Sequence, residues 1–158
     1  MTDDLFIENL ATFDQWIDRV IQSLSPQQRL KLFKDISTDL RRANQKRISQ
    51  QVDPDGQKWQ ARKKRNGSGK IRSKTKMMMG LRQTRRLKRM ATSDGAAIGY
   101  EGRNAQIAAV HQLGGLDAVS QDGGNRIRYP VRQLLGLSVD DLNQVRDRVF
   151  QHIDKGFG

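Results

Sequence analysis

The sequence contains no cysteine, which excludes a disulfide framework and a thiolate nucleophile and removes the usual soft metal ligands. It has only two histidines, His111 and His152, with no HxxxH or HxxE spacing around them, so no metal site is expected. No apolar run approaches membrane-spanning length, and the N-terminus MTDDLFIENL is acidic where a secretory signal would be basic. A soluble protein made in the cytoplasm is the expectation. Hydrophobic residues are also scarce, 35% of 158 against 29% charged. A chain this polar for its size is expected to form one domain, 1–158, with a small core and an arm that orders against a partner.

Acidic residues are missing from one long stretch. Between Lys58 and Arg89 there are fourteen Lys/Arg and no Asp/Glu, while the rest of the chain holds fifteen basic and seventeen acidic residues. That one segment carries the whole surplus behind the net charge of +12. Such a block repels itself and resists compaction without an anion nearby. A phosphate-facing arm is favoured over a solvated loop, because surface charge normally alternates in sign.

Around the block, hydrophobic spacing defines the elements. Phe6, Leu10, Phe13, Ile17, Val20 and Leu24 share one helical face. Ser25-Pro26 closes that helix and opens a second, with Gln28 at the capping-box position. The second helix carries Leu30, Phe33, Ile36, Leu40, Ala43 and Ile48 inward and stops at VDPDG. The basic arm follows, with Trp59 near its base read as pinning a loop rather than stacking on a base. Leu81, Leu87 and Met90 predict a short helix giving way to a strand, and Met77–Met79 read as irregular core filling. Ser93-Asp94-Gly95 predicts a hairpin turn before the strand AAIGY.

A helix capped by Asn104 is expected to run through AQIAAVHQL and stop at Gly114-Gly115, followed by a flexible Gly/Asp-rich loop. RIRYPVRQLLGLS starts extended, with Pro130 discouraging a central strand. Ser138-Val139-Asp140-Asp141 reads as a capping box opening a helix with Leu142, Val145, Val149 and Ile153 on its apolar face. The fold class is therefore α+β: an N-terminal helical hairpin (1–52), the basic arm (53–76), and a body (77–158) of small antiparallel β-sheet, short helix and C-terminal helix.

Catalytic motifs are not found. The pairs Asp3/Asp4, Asp53/Asp55 and Asp140/Asp141 have simpler readings as a helix start, a turn and a cap than as magnesium ligands. GSGK ending at Lys70 resembles a phosphate-binding loop, but Lys64 and Ile71 stand where that motif needs Gly and Ser/Thr. GAAIGYEG lacks the GxGxxG order. No enzyme activity and no cofactor are expected. No zinc-finger, homeodomain or RNP signature accompanies the basic block, so a nucleic-acid contact would be to backbone phosphate, with a loss of roughly 10³ to 10⁵ in affinity from low to moderate salt for six to ten contacts.

The order of a helical pair, PDGQKWQARKKR, KMMMGLRQTRRLKR, AAVHQLGG and YPVRQLLGLSVDD before a terminal helix resembles the phage virion morphogenesis, or tail completion, family of peduovirus-like and Mu-like contractile-tailed phages. The resemblance covers nearly the whole chain, except that the loop between Gly114 and Arg126 is variable ground. It implies a structural protein of the virion neck at the head-proximal end of the tail, needed to finish tails and join them to heads. It also implies a homohexameric ring with the tail tube or sheath terminator and the head-tail connector as neighbours. On this resemblance Pro54, Asp55, Gly56 and Trp59 anchor the arm. Arg62, Lys63, Lys64, Arg65, Lys70, Arg72, Lys74 and Lys76 face a partner protein or the DNA backbone. His111 and Gln112, with Gly114, end the short helix, and Arg132, Leu134, Leu135, Gly136, Leu137, Ser138 and Asp141 form an extended-to-helix corner. His111, Gln112, Arg132, Leu134 and Leu135 are the candidates for a subunit interface. The alternative reading is a sequence-nonspecific nucleic-acid-binding protein that uses residues 58–89.

Overall fold

The computed structural model describes residues 15–62, 75–118 and 126–156. The architecture is α+β, with helices α1 (15–23), α2 (Pro26–Gln50), α3 (Gly102–Leu113) and α4 (Val139–Gly156) and strands β1 (Lys88–Ala91), β2 (Ala96–Gly99), β3 (Gly115–Ala118) and β4 (Arg126–Tyr129). The expected first helix from Phe6 has its opening turns outside the described residues. The junction to α2 is the reciprocal capping box: the Ser25 N–H donates to Gln28 Oε1 at 2.8 Å, and the Gln28 N–H donates to Ser25 Oγ at 3.2 Å. Two donors at a helix start are thereby satisfied, and Pro26 has no N–H to leave orphaned.

The inward face of α2 differs from the expected one. Ile36 and Ile48 are buried as anticipated, but Leu32 is fully buried while Leu30, Phe33, Leu40 and Ala43 are only half-buried. Of the buried positions 32, 36, 37, 44 and 48, all but Ser37 fall on multiples of a four-residue step. A helix turns about 100° per residue, so this line drifts round α2 instead of holding one seam. The polar Asn44 and Ser37 lie in the interior and bond to the helix's own carbonyls, Asn44 Nδ2 to Leu40 at 2.8 Å and Ser37 Oγ to Lys34 at 2.9 Å.

Three further expectations are corrected. Residues 77–87 form no helix. Successive turns take their place, with Leu81 N–H donating to the Met78 carbonyl and both Arg86 and Leu87 donating to that of Gln83. Met77 and Leu81 are interior, whereas Met90, on β1, is exposed. Helix α3 begins at Gly102 with Glu101 as its cap residue and no side-chain cap bond, so Asn104 lies inside its first turn. The stretch after Gly114 is not all loop: Gly115–Ala118 pairs antiparallel with Arg126–Tyr129, placing Leu116 opposite Arg128, and residues 119–125 lie outside the described residues. The turn at Thr92–Gly95 closes the β1–β2 hairpin as expected, and β4 ends before Pro130.

The chain packs into two compact units whose limits cut across the segments expected at 52 and 76. The first takes the chain up to Asp39, then Met90–Ala97, then everything from Val139. The second takes Leu40–Arg89 and Ile98–Ser138. In the first, Leu32, Ile36 and Val149 are buried, whereas Leu142, expected inward on α4, is exposed. Helices α2 and α4 are also joined by polar contacts. Arg148 meets both oxygens of Asp39, at 2.6 and 3.1 Å, and His152 Nε2 lies 2.9 Å from Asp35 Oδ2. The hydrogen bond to Asp39 holds the Arg148 guanidinium still more firmly protonated than usual. In the second unit the core is Ile48, Trp59, Met77, Leu81, Ala108 and Leu134, with Met78, Tyr100 and Leu135 packed against it.

Because the Arg148–Asp39 pair is bidentate but partly solvated, Asp39→Ala is expected to lower stability by about 1 kcal/mol. Urea unfolding would show this as a lower midpoint at constant slope, and the loss should shrink in high salt.

Candidate functional site

Of the expected arm, the described residues are those up to Arg62 and from Thr75 and Lys76 onward. Lys63, Lys64, Arg65, Lys70, Arg72 and Lys74 lie outside the described residues. What the structure shows is the base on which the arm stands.

That base starts at the end of α2. Gln51 takes a left-handed backbone, φ 60°, and the helix ends in a Schellman motif: Val52 N–H donates to the Arg47 carbonyl and Gln51 N–H to that of Ile48, both at 3.1 Å. Glycine is usual at such a position, so a glutamine there needs compensation. Its side chain supplies it. Gln51 Nε2 donates to the carbonyls of Ile48 at 2.6 Å and Met77 at 2.9 Å, and its Oε1 accepts the Met77 N–H at 2.6 Å. The Gln51 backbone carbonyl meanwhile accepts the Trp59 N–H at 2.9 Å. One residue therefore holds the chain on both sides of the arm. Lys76 adds a bond from Nζ to the Ser49 carbonyl, 2.7 Å.

Between Gln51 and Trp59 the turn is organised by Asp53. Its Oδ1 accepts the N–H groups of Asp55 and Gln57, each at 2.9 Å, and Val52 bridges to Lys58. Gly56 supplies the positive φ of 83°. Pro54 is buried against Gly136, where an added Cβ would come within 2.5 Å of the Pro54 ring. Trp59 is buried and its indole N–H donates to the Gln133 carbonyl at 3.1 Å. Asp55 is exposed.

The corner 132–136 closes the base from the other side. Arg132 is only 5% exposed. Its Nε donates to the Gln60 carbonyl at 2.8 Å and its Nη2 to that of Ala61 at 3.3 Å, holding the chain that runs toward Arg62. Burial, and then the nearby charge of Arg62, lower its pKa from the ordinary arginine value. Gln112 Oε1 accepts the N–H groups of Leu134 and Leu135 while Nε2 donates to the Leu135 carbonyl. Asn44 and Arg47 of α2 take the Gly136 N–H and carbonyl. The His111 ring meets Tyr129 edge-on at 5.3 Å, and its backbone carbonyl accepts the Arg132 N–H at 2.7 Å.

All five residues expected at a subunit interface thus take part in hydrogen bonds with one another, His111 with Arg132 and Gln112 with Leu134 and Leu135, and the side chains of Arg132 and Leu134 lie in the interior of this chain. Sequence reasoning missed Gln51, Asp53, Asn44 and Arg47. Asp53 had a local signal, a carboxylate two residues before an N–H in a DPDG turn, whereas the partners of Gln51, Asn44 and Arg47 are distant in sequence.

The second unit keeps its charge without the undescribed part of the arm. Its described residues hold sixteen Lys/Arg and four Asp/Glu, against seven and eight in the first unit. Nothing among the described residues groups three His, Cys, Asp or Glu for a metal ion. The Tyr100 hydroxyl is pushed up to about 12 by burial, so it stays protonated in the core. The bonds from Gln51 and Arg132 hold the chain at both ends of the cationic segment. No helix among the described residues is long and apolar enough to cross a membrane.

Comparison with known proteins agrees with the resemblance in the sequence. The family model described as the phage virion morphogenesis family matches residues 8–154. The chain is 32% identical over 145 residues to the "Tail completion protein S" of Escherichia phage P2, covering 90% of this chain and 96% of that protein. No solved structure matches.

Gln51→Ala is expected to lose the bonds to Met77 and keep the positive φ, lowering stability by about 2 kcal/mol. Amide exchange should accelerate at both Trp59 and Met77. Gln51→Gly removes the same bonds but suits the backbone, so it should be less destabilised than Gln51→Ala while showing the same exchange at Met77.

Proposed function

The chain belongs to the phage virion morphogenesis family, and from that premise we propose that it is a structural tail completion protein of the virion. It acts at the head-proximal end of a contractile tail, in finishing the tail and joining it to the head. The observation that carries this reading is the 32% identity to a tail completion protein across nearly the full length of both chains. A base built from hydrogen-bonded side chains, with no grouped metal ligands among the described residues, suits a structural part better than an enzyme.

The partners follow from the same reading. The protein assembles as a homo-oligomer, a hexamer matching the sixfold symmetry of the tail, between the tail tube or sheath terminator and the head-tail connector. The arm, fixed at Gln51 and Arg132, reaches acidic surfaces of neighbouring proteins along most of its length and the DNA backbone along part of it. Tightly gripped DNA would hinder ejection, which favours protein for the larger share. Six weak electrostatic contacts presented by one ring add by effective concentration.

The excess of sixteen basic over four acidic residues in the second unit also favours the second reading, a nonspecific nucleic-acid-binding protein. The two separate by recruitment: a tail component joins tails in nuclease-treated extracts, whereas a free-standing binder follows duplex DNA with a steep salt slope.

Electron microscopy of a lysate from the encoding phage, with this gene deleted, tests the main reading. Filled heads beside unjoined or overlong tails are expected; normal virions would overturn it. Replacing Lys63, Lys64 and Arg65 together by Glu is expected to cut the yield of infectious particles at least tenfold with the protein still folded, and an unchanged yield would remove the arm from the function.

A further inference from the structure

Helix α4 has one row of carboxylates that the fold does not use. Asp140, Asp147 and Asp154 stand seven residues apart, two helical turns each, so they share a line along the helix. All three are exposed and none forms an ion pair among the described residues. Beside this row lie the exposed Val139 and Phe150, the latter with its ring 5.3 Å from the half-exposed Trp16. The buried side of α4, with Asp141 and Val149, is the opposite one. The result is an apolar strip edged by negative charge.

A surface of opposite character lies on the second unit. Leu116 is directly across from Arg128 in the β3–β4 ribbon, and Arg126 is two residues from Arg128, so the three share a face. All three are exposed. Next to them, Leu113 is 75% and Val131 62% exposed. Val131 packs on Gly114, where an added Cβ would lie 3.1 Å from its Cγ2, which keeps the apolar residues together. Neither Arg126 nor Arg128 forms an ion pair among the described residues.

We infer that the acidic, apolar face of α4 docks on the basic, apolar face of the β3–β4 ribbon of a second copy of this chain. Each surface carries exposed apolar groups that water leaves unsatisfied, rimmed by charge that the other complements. Either face packed on its own copy would set like charges against one another, so the contact joins unlike faces. Association of this kind is complete when each copy both gives its α4 face and receives on its ribbon, in a reciprocal dimer or in a closed ring. This deepens the homo-oligomer of the proposed function and supplies the contact that Arg132 and Leu134, held in the interior, do not provide.

Sedimentation velocity on the full chain tests this without any phage component. The protein is expected to associate into a dimer or a larger closed species as concentration rises, and to dissociate in high salt. Asp147→Lys/Asp154→Lys and Arg126→Glu/Arg128→Glu should each raise the midpoint concentration of association about tenfold or more, with circular dichroism unchanged. Mixing the two variants should restore association, because each then offers the charge that the other needs. A wild type that stays monomeric, reversals without effect, or a mixture that does not recover would each overturn the inference. Those results leave the deletion phenotype untouched, so the docking contact and the tail completion reading fail separately.

Discussion

The bonds made by Gln51 set the geometry on which the second unit depends. A left-handed residue ends α2 and turns the chain into the DPDG turn. The same residue's carbonyl receives Trp59, and its amide takes both backbone groups of Met77. A non-glycine residue in this conformation costs of order 1 kcal/mol, and the cost is offset only while the partners stay in place. Release of one partner therefore weakens the others. The segment between Trp59 and Met77 is closed at its ends by the fold itself, so the entropy of closing that loop is met before any partner arrives.

The corner opposite Gln51 works by the same physical means. With 35% hydrophobic residues, the chain has few apolar side chains with which to hold loops down. Polar side chains take over: Gln112 uses both ends of its amide on Leu134 and Leu135, Asn44 and Arg47 hold Gly136, and Arg132 holds Gln60 and Ala61. Hydrogen bonds from buried groups to backbone are directional, and they fix register in a way that sparse apolar contacts do not. Burial also explains why Arg132 is confined to this role. A guanidinium in the interior must keep its carbonyl partners, and it has little freedom to reach a neighbouring subunit.

Features set by nearby residues were legible in the sequence. Ser25, Pro26 and Gln28 announce the start of α2, Ser93-Asp94-Gly95 announces a hairpin, and Ser138 with two aspartates announces α4. Residues 77–87 misled because Leu81, Leu87 and Met90 read as a short helix giving way to a strand, whereas successive turns carry Leu81 and Leu87 into the interior and leave Met90 exposed. Leu32 was passed over because a four-residue drift does not maximise any single helical face. The clamp at Gln51 was illegible in principle, since no local pattern marks a glutamine whose partner lies twenty-six residues away. The arm was legible as charge and its base was not.

Segregated charge has a physical consequence for what such a fold is for. Sixteen basic residues against four acidic ones in one unit repel each other, and that repulsion opposes folding. Reducing it would require only surface substitutions to Asp or Glu of the kind that the first unit already carries. The first unit, with seven basic and eight acidic described residues, shows that one chain supports both surface types. A structure that keeps the repulsive arrangement in one part and screens it in the other gains most when the cationic part meets an anionic surface outside its own unit. The hydrogen-bonded base at Gln51 and Arg132 then acts in the same direction as the charge, because it fixes both ends of the chain segment in which that charge is densest.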